Sequence, residues 1–560
     1  MKKFLSIFNK EFGSINQAAL LLGFFTLLSQ ILALFRDRAI AHFVGPSAPL
    51  DAYYAAFRVP DLIFISIASL ASITVLIPFI VAKMDGEKVT KEAQKFLNDV
   101  FTVFLGVILC VSVIAFFLMP YLIHHLIAPG FIPEMQDKVI ILSRIMLLSP
   151  IFMGLSGLFG TITQLFKRFF VFSLSPIFYN LGIIFGVVFL FPIFGIYGMA
   201  IGVVLGALMH FLVQFFASSN CGFSTKFSFK INFKDIKNAA LTSLPRTLGL
   251  AFNSIALISI VAMASFLKSG SISVFNFSFN LQSVPLNIIG VSYAVAAFPT
   301  LTKSFSSGRL DEYKVHLKSA ARQIIFWSLP ITFLFIVLRA QIVRVILGSG
   351  SFSWENTRLV AASLAIFSVS ILAQGMTALL SRAYYAVGNT KKPLMINLFS
   401  SATIIILSYL FIHLFQSVPF FRYFVESILK VSDIPGTIVL MLPLAYSVGT
   451  ILNFILQWIF IKRDFMKKEE FIAVTFFQSL GSSFFIGFVS YLSLKVFSEI
   501  FGTTTFFGVF LQGFFSGILG ILSGILVLHL LKNQELKDLI KALRTKFWLA
   551  RVIVPSQEEL

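Results

Sequence analysis

Charge is scarce in this chain. Asp, Glu, Lys and Arg make up 12% of its 560 residues, against roughly 25% in soluble domains. Most of the sequence therefore does not face water, which excludes an ordinary soluble globular fold. Cysteine is scarcer still: Cys110 and Cys221 are the two present, too few for a disulfide framework and too far apart for a C-x-x-C metal or redox site. The seven histidines are scattered, and the adjacent His124 and His125 point to different faces of a helix, which does not make a metal ligand set. No G-x-x-x-x-G-K-[ST] loop is present to bind ATP, and Gly348-Ser349-Gly350 lacks the strand that a phosphate-binding glycine loop follows. No catalytic constellation, cofactor or metal is expected, and no polar stretch is long enough to house a soluble domain.

Apolar residues are abundant: 58% of the chain is hydrophobic, mean hydropathy is +0.92, and there are 69 phenylalanines. A spanning helix needs about 20 mainly apolar residues, and fourteen such segments follow one another between residues 15 and 531. The basic start could pass for a secretory signal, but Lys10 and Glu11 interrupt it and the next run ends at Arg36-Asp37-Arg38, so it reads as an uncleaved first helix. Fourteen spans put both termini on one side, and Lys and Arg locate that side. Of the 44, the side holding the termini carries 31 and the opposite loops 8; Arg36, Arg38, Arg58, Arg144 and Arg246 fall inside or at the ends of helices. Positive-inside logic then places both termini in the cytoplasm. It explains the +20 net charge by topology and anionic membrane lipids rather than by nucleic acid, whose binding needs one basic stripe.

An internal repeat joins Pro176-Ile177-Phe178-Tyr179-Asn180-Leu181 to Pro393-Leu394-Met395-Ile396-Asn397-Leu398, each after a basic cytoplasmic turn. Pro78 and Pro299 end the second and eighth helices at a similar offset. A six-helix unit repeated in parallel follows, and transporters built that way bind substrate between their halves near the midplane. The expected fold is an all-α integral membrane protein: an N-terminal lobe over 1–220, a C-terminal lobe over 221–465, a helix pair over 466–531 and a basic tail over 532–560. The tail's Leu536, Leu539, Ile540 and Leu543 recur at helical spacing, which predicts a helix lying on the inner leaflet.

Ionisable groups inside spans cost about 2.5 kcal/mol or more each and usually face a bundle interior or watery cavity. On the second helix Asp51, Tyr54, Arg58 and Asp61 share one face, continued by Ser69 and Ser72. Ser29 and Arg36 share a face of the first helix, with Asp37 beside them. Arg246, Gly249 and Asn253 align on the seventh, and Asn276, Asn280, Ser283 and Asn287 stripe the eighth. The bland reading is mutual neutralisation of Arg58 and Asp61, with the asparagines as interhelical glue. The sharper one is a hydrated substrate cavity lined by the first, second, seventh and eighth helices.

These residues also carry a family resemblance. Phe35-Arg36-Asp37, Asp51-Ala52, Ala56-Phe57, Pro60 and Pro78-Phe79 resemble the amino-terminal signature of the MurJ/MviN lipid II flippases. Leu347-Gly348-Ser349-Gly350-Ser351-Phe352, the run from Arg382 to Pro393, Ala128-Pro129-Gly130-Phe131 and the stretch from Val284-Pro285 to Pro299 are similar to that family too. The resemblance implies a fourteen-helix fold of the multidrug/oligosaccharidyl-lipid/polysaccharide exporter superfamily, with two six-helix lobes and a carboxy-terminal pair forming a groove for the lipid tail. It implies a partner, lipid II or a related undecaprenyl-pyrophosphate-linked precursor, moved across the bacterial cytoplasmic membrane by alternating access coupled to the membrane potential or an ion. A flippase for an O-antigen-type carrier is the alternative, since fold does not fix substrate; a membrane transferase and a multidrug exporter fit less well. Three family arginines are missing, replaced by Gln30, by Phe64 or Ile65, and by Asn280, and Ile260 stands where the family often has an acid. Arg36 is the family arginine retained, and it is expected to be the cation on which function depends most, ahead of Arg58 and Arg246.

Overall fold

The computed structural model describes residues 15–68, 73–84, 89–166, 168–219, 221, 223, 225–466 and 472–544. Ser69, Ser72 and residues 545–560 of the tail lie outside them. Among the described residues all regular structure is helical. The first helix, α1 (Ile15–Phe43), leads into a broken segment of α2 (Ala48–Ala56), α3 (Arg58–Ile63), a π-helical stretch (Phe64–Ala68) and α4 (Ile73–Val81). There follow α5 (Lys91–Ile127), α6 (Pro133–Leu165), α7 (Phe169–Phe194), α8 (Ile196–Ser219), α9 (Phe233–Ala264), α10 (Ser271–Ser306), α11 (Leu310–Val337) and the short α12 (Arg339–Leu347). A 43° bend separates α13 (Trp354–Val369) from α14 (Ile371–Ala386). Then come α15 (Lys391–Ser417), the short α16 (Pro419–Leu429), α17 (Thr437–Phe465), α18 (Ala473–Phe501), α19 (Phe506–Leu530) and α20 (Gln534–Arg544). Among the described residues eleven helices are long and apolar enough to cross a membrane, twelve when α13 and α14 count as one span. With α1 and the interrupted α2–α4 stretch beside them, this is compatible with the fourteen spans expected.

The break between α2 and α3 has a sequence cause. Pro60 has no N–H to give the Ala56 carbonyl four residues back. The Ser143 hydroxyl of α6 donates to that carbonyl instead, at 3.2 Å, and the chain turns at Phe57 before resuming as α3. The π-helical stretch that follows is a form often found at functional sites.

The chain groups into two compact units. In the first (Met1–Leu281, Ile346–Ser363 and Thr390–Asn453), α7 and α8 meet through glycines: a Cβ on Gly182 would lie 2.2 Å from the Gly206 Cα, and one on Gly202 2.5 Å from the Gly186 Cα. Any side chain there would force the two backbones apart. The two repeat asparagines each face another helix of this unit, α1 for Asn180 and α9 for Asn397. Asn180 of α7 donates to Ser29 Oγ of α1 at 3.5 Å, while a Cβ on Gly249 of α9 would lie 3.6 Å from Asn397 Nδ2 of α15.

In the second unit (Gln282–Val345, Leu364–Asn389 and Phe454–Leu560), Tyr313, Leu317, Leu380 and Tyr384 form a buried core. Gly290 of α10 and Gly375 of α14 abut, and α18 packs on α19 where Gly520 and Gly524 leave room for Ile486 and Ser490. The tail helix α20 is docked on protein: Leu536 is buried against Phe326 and Leu528, and Glu535 accepts a hydrogen bond from Thr475 Oγ1 at 2.9 Å. Its apolar residues Leu536 and Ile540, expected to face the leaflet, are taken up by α11 and α19.

Candidate substrate cavity

Within the first unit α1, α2, α3, α7, α9 and α10 surround a cavity of about 330 Å³. This is near the lower end of the roughly 300–1,000 Å³ of small-ligand sites, enough for part of a large headgroup. Its cations differ in how they are held. Arg36 donates through Nε (2.9 Å) and Nη2 (2.8 Å) to Asp37 Oδ1 and through Nη1 to Asn180 Oδ1 at 3.1 Å. Asp37 is buried, and its second oxygen accepts from Asn280 Nδ2 at 3.1 Å. An asparagine in place of the family arginine at 280 leaves Asp37 with Arg36 as its cation. The two form a closed ion pair.

Arg58 is different. Its Nη2 donates to the neutral Asn276 Oδ1 at 2.8 Å, Asn276 being held in turn by the Ile272 carbonyl at 2.7 Å. Its Nε is buried with no partner, as is the Tyr54 hydroxyl, and no carboxylate among the described residues lies within ion-pair distance. Asp61, one turn on, is exposed to the cavity and attracts Arg58 from beyond ion-pair distance. Tyr53, Phe57, Tyr179 and Phe279 complete an aromatic wall. A guanidinium with an unpartnered N–H beside a phenol has the donors that a phosphate-type anion would use.

The structure thus brings Arg36, Asp37, Arg58, Asp61, Asn276 and Asn280 together around one space, and places the other expected residues elsewhere. Ser29 sits behind the wall, on Asn180. Asp51, though on the same predicted face as Arg58, is buried at the start of α10: it accepts from Gly270 N and Ser273 N, both at 2.7 Å, and from Ser273 Oγ at 2.6 Å. Asp51 lies seven residues, about two helical turns, before Arg58, and at that depth it meets the start of α10 instead of the cavity. Asn253 of α9 is exposed and outside the lining. Arg246 lies on the same helix, and its side chain is outside the described residues. Sequence reasoning missed Tyr179 and Asn180 as cavity elements; the signal was there in the P-x-x-x-N-L motif, read only as a repeat. Among the described residues no group of three or more His, Cys, Asp or Glu could hold a metal ion.

The model of the family described as lipid II flippase MurJ matches residues 40–421. The chain belongs to this family. The relative from Rickettsia prowazekii (strain Madrid E), described as a probable lipid II flippase MurJ, is 28% identical over 387 residues, covering 69% of this chain and 76% of that one. A protein of the same description from Rhizobium tropici is 26% identical over 376 residues, 66% of this chain and 70% of that one. Among solved structures, a lipid II flippase MurJ in an inward closed conformation aligns with a TM-score of 0.71 at 24% identity, covering 93% of this chain and all of that one. An inward-facing multidrug resistance MATE transporter of the MOP superfamily aligns with a TM-score of 0.62 at 15% identity, over 78% and 95%. These likenesses give the MurJ fold.

Proposed function

We propose that this chain moves lipid II across the bacterial cytoplasmic membrane for cell-wall synthesis, with both termini in the cytoplasm and the diphosphate of the headgroup seated at Arg58. The observation that carries the reading is the Arg58 guanidinium, its Nε without a hydrogen-bond partner, in an aromatic cavity of a family member. The chain acts as a transporter with no covalent step, and the driving force is electrical or ionic: the headgroup is anionic, and each negative charge moved out of a cell with a negative interior gains about 2.3 kcal/mol per 100 mV.

Binding of lipid II, undecaprenyl pyrophosphate and an O-antigen carrier to the purified protein tests the substrate, together with growth of a strain depleted of its own lipid II flippase. Tighter binding of lipid II and restored growth are expected. Preference for the O-antigen carrier without rescue would move the substrate to another polyprenyl-linked saccharide.

The topology has its own test. Single cysteines replacing Ser228 and Ser556 in a chain lacking Cys110 and Cys221 should resist an impermeant thiol reagent in intact cells and react after permeabilisation. Labelling of either from outside overturns the cytoplasmic assignment.

A further inference from the structure

The segment between α15 and α17 holds α16, whose sequence PFFRYFVESIL is apolar on two faces. The protein uses one. Phe421 packs on Phe411 with ring centroids 6.4 Å apart, and the buried Glu426 accepts from Arg422 Nε at 3.1 Å and Thr437 Oγ1 at 2.6 Å. The other face is uncovered: Phe420, Tyr423, Phe424 and Ile428 are 80%, 66%, 55% and 61% exposed. Their spacing puts them on one stripe, and the Phe420 and Phe424 rings stack on each other. Four large apolar side chains on one short helix are not left in water without a reason.

The neighbouring helix says what covers them. α15 begins at Lys391-Lys392, and its 27 residues at 1.5 Å each span about 40 Å, more than the roughly 30 Å of bilayer hydrocarbon. Counted from those lysines the hydrocarbon ends near His413, so α16 starts at headgroup depth. Phe399, Ile406, Tyr409 and Leu410 form an exposed stripe along α15 that runs up to it. The turn after α16 is pinned: Arg358 donates to both Asp433 oxygens at 2.6 Å and to the Lys430 carbonyl at 2.6 Å. These hydrogen bonds hold the Asp433 carboxyl below its usual range.

We propose that α16 lies flat in the membrane–water interface on the side opposite the termini. Phe420, Tyr423, Phe424 and Ile428 then sit among the acyl chains just below the headgroups, and Lys430 sits at the lipid phosphates. Aromatic side chains favour that depth, and an in-plane helix burying one apolar face there is a stable arrangement. The inference rests on the membrane-spanning reading but not on the identity of the transported lipid.

Phe424→Cys and, separately, Ile428→Cys are made in a chain lacking Cys110 and Cys221, labelled with bimane and reconstituted into phosphatidylethanolamine/phosphatidylglycerol vesicles. Ser432→Cys in the following turn is the water-facing control. Lipid carrying a nitroxide near the top of its acyl chain should lower emission at 424 and 428 about twofold or more, as expected of a helix buried 5–10 Å into the boundary, while iodide has little effect. At 432 the order should reverse. The proposal fails if iodide quenches 424 and 428 and the lipid nitroxide does not. It fails equally if neither quenches them, which would mean that protein, such as a second copy of this chain, covers the stripe. Neither failure bears on transport.

Discussion

Replacing Arg58 with alanine is expected to abolish rescue of a flippase-depleted strain while the protein remains in the membrane at wild-type amounts. Arg58 gives up one hydrogen bond, to the neutral Asn276, and Asp61, the acid it attracts, is exposed to the cavity, where water can solvate it. What is removed is the charge-assisted contact to phosphate, worth about 1.5–3 kcal/mol, a roughly ten- to hundredfold loss of binding. Lys restores the charge without the planar fork, so Arg58→Lys should retain part of the activity. Asn276→Asp is the sharper variant. It sets a carboxylate where Asn276 Oδ1 now lies 2.8 Å from Arg58 Nη2, giving Arg58 an ion pair in exchange for the Nδ2 hydrogen bond to the Ile272 carbonyl, so the protein should still reach the membrane but bind lipid II as poorly as Arg58→Ala. Normal growth and binding with Arg58→Ala would remove the cavity's proposed anion site.

Arg36→Ala should behave differently. Its partner Asp37 is buried, and breaking a buried pair from one side costs about 3–5 kcal/mol because the remaining charge is uncompensated. Lower amounts in the membrane and a lower melting temperature in detergent should therefore accompany any loss of rescue, and Arg36→Ala/Asp37→Ala should recover much of the stability. The sequence ranks Arg36 first among the cations; its hydrogen bonds to Asp37 and Asn180 are the reason that we propose Arg58 for the substrate contact.

That reversal marks the limit of what the residues alone reveal. Spans were legible because hydrophobic length is a one-dimensional property, and α1, α2, α3 and α10 were legible as cavity walls because an ionisable side chain inside a span must face something polar. Which charges neutralise each other was not legible. Arg58 and Asp61 stand at i, i+3 and attract each other without reaching ion-pair distance, while Arg58 Nη2 hydrogen-bonds Asn276 more than two hundred residues away and Arg36 pairs with its immediate neighbour. Asp51 shows the same limit from the other direction. Helical periodicity puts Asp51 on the face of Arg58 but says nothing of what that face meets about two turns earlier, which is the start of α10.

Removing the Asp51 carboxylate should loosen the start of α10. Gly270 N, Ser273 N and Ser273 Oγ all donate to it, and it is 2% exposed, so water cannot replace it without local opening. It also places a negative charge at a helix N-terminus, where the aligned peptide dipoles favour one. The Gly270 backbone, at φ +92° with Pro46 close by, suits glycine. Each stranded donor costs about 1–3 kcal/mol, and Asp51→Ala strands three. Hydrogen exchange at residues 270–273 should accelerate by about tenfold or more, the signature of a local opening made cheaper, with a lower melting temperature and reduced transport. Asp51→Asn keeps an acceptor for one or two of the donors but loses the charge and turns an amide toward the others, so it should fall between wild type and Asp51→Ala. Because the contact ties α2 to α10 at the ends facing away from the termini, its loss should also let an impermeant thiol reagent reach Phe279→Cys, in the cavity wall, from outside intact cells. Unchanged exchange at 270–273 in Asp51→Ala would mean that the turn is held by packing on Pro46 rather than by the carboxylate.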